Sequence, residues 1–276
     1  QSSENLVLLE NGCLCCTVRG DLIATLRDLV TRRDAGTIPA FRRIAIETTG
    51  LADPAPVIHS LMNDLALILR FRLDRVLTVV AAVPGRATLD AFAEARRQVA
   101  FADALVMTKT DLGEPADLEP ALRGLNPRAE LHRVIAGAAG AALFEGGGFE
   151  PGEAVEAWLG ASRFTCDSVS PHGAEIGSFC LTLPEALSWA VAQRWLDRIA
   201  AEHGPDLLRL KGMLAICEWP AGPVVVHGVQ HLFHPPEMRE SWPSDDHRSR
   251  IVFITRGIDA ARIEDTLRQA QLQEAV

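Results

Sequence analysis

Apolar and polar positions along the chain alternate between two rhythms, and the change falls near its middle. In the first half, short apolar runs at residues 6–10, 41–46, 75–83, 104–107 and 130–135 read as strands. Between them, residues 20–33, 54–70, 86–100 and 116–124 carry apolar side chains at helical spacing. Strand–helix alternation predicts a parallel sheet with helices on both faces. The run at 75–83 is β-rich and apolar but for Arg75 and Thr78, as expected of a strand buried on both faces. Residues 136–163 read as a Gly- and Ala-rich connection with some helix, and 162–178 as an interdomain linker. The second half then reads as strands at 179–183, 207–216, 223–233 and 250–255, with helices at 187–202 and 259–273. More strands than helices here predicts a small α+β domain.

The expected organisation is thus a first α/β domain over residues 1–163, a linker over 164–178 and an α+β domain over 179–276. The composition, 48% hydrophobic and 23% charged, supports a sizeable core. A net charge of −9 excludes a broad nucleic-acid surface, which needs a basic stripe. No apolar window has the length of a membrane span, and no signal peptide is visible. With scattered cysteines, this predicts a reducing, cytoplasmic setting.

Three of the six cysteines fall in Asn11-Gly12-Cys13-Leu14-Cys15-Cys16. Gly12 permits a turn, and the run Leu22, Leu26, Leu29, Val30 predicts a helix behind it, with Thr17 or Asp21 as its cap. Thiols at a helix N-terminus ionise more readily, and thiolates bind zinc or Cu(I). Cys13 and Cys15 can face one ion, with Cys16 a third ligand or turned away. Two other readings stand beside this one. Cys13 and Cys16 also have the Cys-x-x-Cys redox spacing, and all three can be buried small apolar side chains.

In a parallel sheet, ligands bind beyond the carboxyl ends of the strands. Two polar tetrads lie at such ends. Thr108-Lys109-Thr110-Asp111 matches the guanine-reading pattern usually written Asn-Lys-x-Asp, with Thr first. Asp111 can accept two hydrogen bonds from guanine's ring N–H and exocyclic amine, while the Lys109 stem packs along the base. The bland reading is a polar strand end with a helix-capping aspartate. Glu47-Thr48-Thr49-Gly50 can serve the phosphate side: Glu47 by orienting a magnesium-bound water, Gly50 by offering its N–H to a γ-phosphate. A plain strand-to-turn junction is the alternative.

Asn126-Pro127-Arg128-Ala129 reads as a turn, with a loop behind the base as its other reading. His227 and His231 share one face of the 223–233 strand and His234 the other, so the three read as core or interface residues. Cys180 and Cys217, in strands, are expected to be packed.

Taken together, these residues resemble the CobW-like GTPases, which include cobalamin-synthesis proteins, nitrile-hydratase activators and zinc-trafficking chaperones. The resemblance runs through Glu10 to Cys16, the Glu47-Thr48-Thr49-Gly50-Leu51-Ala52-Asp53-Pro54 stretch and Thr108 to Asp111. In the second half it includes Leu210-Lys211-Gly212, His227-Gly228-Val229-Gln230-His231 and Ser249-Arg250-Ile251-Val252-Phe253. It implies a P-loop GTPase-type α/β domain followed by a ferredoxin-like α+β domain. It implies GTP/GDP and Mg2+ as nucleotide ligands, and zinc or cobalt held at Cys13, Cys15 and Cys16. It further implies that the metal passes to a client metalloprotein on GTP hydrolysis.

Three departures from the family pattern matter. The sequence contains no Gly-Lys pair, so the P-loop is missing together with the family's first strand, and the start at Gln1 fits an N-terminally incomplete chain. The 276-residue chain is therefore expected to hydrolyse GTP poorly or not at all, and a non-catalytic metal-binding or client-docking module is the alternative. Ala81 stands where many members carry an acidic residue. Only His172 falls where many carry a histidine-rich linker.

Overall fold

A computed structural model describes residues 16–50, 52–71, 73–113, 115–127, 129–144 and 176–273. The chain forms two compact units, Gln1–Leu73 and Asp74–Val276.

The first unit is helical in its described residues. Helix α1 spans Cys16–Asp34, α2 Pro54–Asn63 and α3 Leu65–Ile68. Because α1 already begins at Cys16, Thr17 and Asp21 lie inside it and do not cap it. Leu22, Leu26, Val57 and Leu67 form the unit's small core, with Ile44 and Phe71 against it. The single helix expected over 54–70 is broken at Asp64. That carboxylate accepts the Leu67 N–H at 3.1 Å, starting α3, and pairs with Arg27 of α1. Among the described residues of this unit, 41–46 form no ladder, so the strand expected there is absent. Phe41 instead stacks on Phe71 with ring centroids 6.5 Å apart, and the Arg33 guanidinium lies over both rings. Such a cation–π contact contributes on the order of 0.5–1 kcal/mol.

The second unit holds two sheets. Strands β1 (Leu77–Ala81), β2 (Ala104–Thr108) and β3 (Glu130–Val134) are parallel in the order β1-β2-β3. The connections are α4 (Ala82–Ala91), α5 (Ala93–Phe101) and α6 (Leu118–Leu125). The helix expected over 86–100 is interrupted at Phe92, whose extended backbone (φ −122°) separates α4 from α5. Leu105 and Met107 of β2 pack with Leu89, Val99, Leu118 and Leu122 from these helices. The opposite face carries Val106, Val134 and Leu143. β1 lies at the edge, so its double burial fails at Val79, which is 66% exposed.

The second sheet is antiparallel. Its strands are β4 (Ile176–Leu183), β5 (Leu207–Ile216), β6 (Trp219–Val229), the short β7 (Leu232–Phe233) and β8 (Glu237–Met238), and β9 (Ser249–Arg256). They run in the order β4-β9-β5-β6-β7, with β8 also on β6. The last long strand therefore inserts between the first two. Helices α7 (Trp189–His203) and α8 (Ala260–Leu272) cover one face, giving the expected α+β layering. At the centre Trp195 is fully buried, and its indole N–H reaches Thr266 Oγ1 at 3.0 Å.

The expected 223–233 strand is a hairpin in fact. Gln230 adopts φ 53° and turns the chain back before β7. His227 and His234 are thereby brought together, with ring centroids 6.1 Å apart, and His231 sits in the turn. The expected sharing of a face by His227 and His231 is overturned by this reversal. Cys217 lies in the β5–β6 turn and is exposed rather than packed, while Cys180 is half-buried.

Candidate nucleotide-binding edge

The carboxyl edge of the parallel sheet is set by strand register. Ala81, Thr108 and Val134 stand side by side across β1, β2 and β3. β2 is buried from Ala104 to Met107, and the chain emerges at Thr108. Lys109 then takes a left-handed backbone, φ 60°, which turns the chain into a 3-10 turn over Thr110–Leu112. The Leu112 N–H closes that turn on the Lys109 carbonyl at 3.1 Å. A non-glycine residue in this region costs about 1–3 kcal/mol, and such residues cluster at ligand sites.

Lys109 and Asp111 are exposed and Thr110 half-buried. The helix-capping reading of Asp111 does not hold, since no side-chain cap bond is made at this turn or at α6. Beside Lys109 the chain leaves β3 through Ile135, which is 51% exposed, and Ala136, which is also left-handed at φ 50°. Two strained turns and an exposed apolar side chain thus share one edge. The Ile135–Gly137 turn is an addition to the residues singled out from sequence; its only signal there was a glycine just after a strand.

Asn126 has a different role from that of a loop behind a base. It is fully buried, and its amide donates to the carbonyls of Val99 (2.8 Å), Ala100 (3.3 Å) and Ala102 (2.9 Å). Its Oδ1 accepts the Ala129 N–H at 3.1 Å. The residue satisfies the carbonyls left at the end of α5, so the turn reading holds.

In the first unit, Glu47 and Gly50 are both exposed, on an extended stretch that turns at Gly50. The Ala52 N–H bonds the Thr49 carbonyl at 3.0 Å, and the Asp53 carboxylate caps α2 through the Ala55 N–H at 3.0 Å, with Pro54 at the first position. A Cβ built on Gly50 meets nothing within 4 Å, so internal packing does not require glycine there. Cys16 stands at the first position of α1, while Cys13 and Cys15 lie outside the described residues.

Among the described residues, no group of three or more His, Cys, Asp or Glu side chains could hold a metal ion. Burial, then the charges of Lys211 and Arg209, push the His227 ring down to about 2. Among the described residues no helix is long and apolar enough to cross a membrane.

Comparison with known proteins adds to this geometry. Residues 1–133 match the family model described as CobW/HypB/UreG, nucleotide-binding domain. Residues 176–271 match the cobalamin synthesis protein cobW C-terminal domain. The chain is 33% identical to the zinc chaperone YjiA of Escherichia coli over 248 residues, 89% of this chain and 76% of that protein. It is 30% identical to the zinc chaperone CobW of Pseudomonas aeruginosa over 300 aligned positions, 95% of this chain and 74% of that one. Among solved structures, the Zn(II)-bound YjiA GTPase from E. coli superposes with a TM-score of 0.73 at 29% identity, covering 90% of this chain and 77% of that one. With both halves of its architecture and most of its length matched in this way, the chain belongs to the CobW family.

Proposed function

We propose that this chain is a guanine-nucleotide-dependent zinc carrier of the cytoplasm. The observation that carries the reading is the β2 edge: a buried strand ending at Thr108, a left-handed Lys109 and an exposed, uncapped Asp111. In this reading Thr108 and Lys109 frame the purine, and Asp111 accepts from its ring N–H and amine. Glu47 and Gly50 answer to the Mg2+ and the terminal phosphate. Cys13, Cys15 and Cys16 hold the cargo ion, which passes to a client metalloprotein when the nucleotide state changes. Names of relatives favour zinc over cobalt: the YjiA and CobW proteins are called zinc chaperones, and a Schizosaccharomyces pombe relative is called a zinc-regulated GTPase metalloprotein activator. The proposed organisation keeps the nucleotide domain over 1–163, the linker over 164–178 and the C-terminal domain over 179–276.

The test is a zinc titration against a chromogenic chelator, with and without a GTP analogue. The wild-type chain is expected to bind one zinc per chain, and Cys13→Ser and Cys15→Ser to weaken it at least tenfold. Zinc affinity untouched by both substitutions would sink the reading. The alternative reading is a non-catalytic metal-binding or client-docking module. Zinc binding that ignores every guanine nucleotide would select it.

A further inference from the structure

The carbonyl end of α5 is completed by three other elements. A helix leaves its last four carbonyls without partners of its own, and for α5 these are Gln98, Val99, Ala100 and Phe101. Thr78 Oγ1 of β1 donates to the Gln98 carbonyl at 2.8 Å. The Asn126 amide, just after α6, donates to those of Val99 and Ala100. The Phe101 carbonyl accepts from the guanidinium of Arg209, which belongs to β5 of the antiparallel sheet. Ala100 and Phe101 are fully buried here, and Arg209 is buried with them.

The link that follows α5 is held in the same manner. The Asp103 N–H donates to the Val76 carbonyl at 2.7 Å, and the Asp103 carbonyl accepts the Glu130 N–H at 3.1 Å. Its Oδ2 accepts the Val76 N–H at 2.8 Å, and its Oδ1 accepts from Arg209 and Lys211, each at 2.6 Å. One residue thus meets the amino-terminal ends of β1, β2 and β3 as well as β5.

Packing accompanies these bonds. α5 lies against β4 and β5, and α6 against β4. Leu210 and Leu214 of β5 point into the core beneath α7 and α8, so Arg209, Lys211 and Met213 share the opposite face. Val252, across from Lys211 in β9, shares it too. Met213 and Val252 are buried, so the antiparallel sheet is closed to water on both faces. If that sheet opened alone, β5 would carry Arg209 away, and α5 would be left with an uncapped end and newly wetted Ala100 and Phe101.

We infer that the two sheets have no separate stability: they open as one cooperative body, in which the antiparallel sheet completes the helix that leads into β2. The edge at Thr108–Asp111 therefore depends for its shape on the core beneath α7 and α8. The inference stands apart from the proposed function, since it is read with neither nucleotide nor zinc present.

Amide exchange of the full chain, followed by peptide mass spectrometry, tests it. Leu214→Ala removes volume from the antiparallel core, where Leu214 is fully buried. One cooperative body requires the slowest amides of β2, at Leu105 to Met107, to speed up by the same factor as those of β9, at Val252 to Ile254. That factor is expected to be on the order of 30-fold or more. Ile251→Val is a milder cut in the same core and serves if Leu214→Ala does not fold. It is expected to raise both rates equally, by about 2- to 10-fold. Exchange that rises in β9 while β2 keeps the wild-type rate overturns the inference. So does a wild-type chain whose β2 and β9 amides lose protection at separate urea concentrations.

Discussion

The Asn126 side-chain amide donates to the Val99 carbonyl oxygen at 2.8 Å, and so fastens the loop before β3 to the end of α5. Replacing it with leucine removes the donor from a group of three buried carbonyls and strands the Ala129 N–H. Asn126→Leu is expected to cost about 2–4 kcal/mol, the desolvation penalty of one or two orphaned groups. A shift in the urea midpoint at unchanged slope would show it.

Asp111 is exposed and makes no side-chain cap bond at its turn, so its removal is expected to be silent in stability. Asp111→Ala should keep the melting temperature of the parent. By analogy with bidentate base readout, preference for GDP over ADP should fall by about 1–3 kcal/mol, or roughly 5- to 150-fold. Competition binding of the two nucleotides measures this directly.

Two glycines should respond oppositely to the same added methyl. At Gly228 a Cβ would lie 2.7 Å from the Phe233 ring. Gly228→Ala is therefore expected to cost about 1–3 kcal/mol through overpacking. At Gly50 the space is open, so Gly50→Ala should leave folding nearly unchanged. Its effect is expected in how nucleotide alters zinc affinity, read by repeating the zinc titration with and without a GTP analogue.

Acid should destabilise the chain before ordinary carboxylates titrate. Burial and the charges of Lys211 and Arg209 hold His227 at about 2 when folded, against its ordinary value of 6.5 when unfolded. Below pH 6.5 the unfolded chain takes up a proton that the folded chain refuses. Stability is thus full above that pH and falls by roughly 1.4 kcal/mol per pH unit on the way down. Asp103 adds to the loss from about pH 4 downward, because its folded pKa is depressed and its pairing vanishes on protonation. Unfolding midpoints should hold level from pH 7.5 to about 6.5 and fall from there to pH 4.5, and His227→Gln should flatten that fall.

These effects also show which features could be read in the residues. β5 was legible end to end over Leu207–Ile216, because it is central and its ten positions are all buried. The Thr108–Asp111 placement at a strand end followed from the same logic. Phe41 to Ile46 has strand composition, yet composition cannot supply a ladder partner, and stacking on Phe71 took Phe41 instead. The breaks at Asp64 and Phe92 escaped a periodicity argument, which registers apolar spacing and not a carboxylate accepting the Leu67 N–H. Asn126 looked like turn chemistry because its partners, Val99 to Ala102, lie over twenty residues away in sequence. Lys211 was visible only as part of a family motif, and the acid it meets lies 108 positions earlier.

The insertion of β9 between β4 and β5 sets an order of events during synthesis. When a ribosome has released β4, α7 and β5, the slot between those two strands is still vacant. Only the β5–β6 hairpin can zip at once, as a local pairing. Closure waits for Ser249–Arg256, so a nascent chain halted short of that strand carries two unfilled edges. Such unpaired edges invite association with other chains, which makes the emergence of β9 the natural point for a holding chaperone to let go.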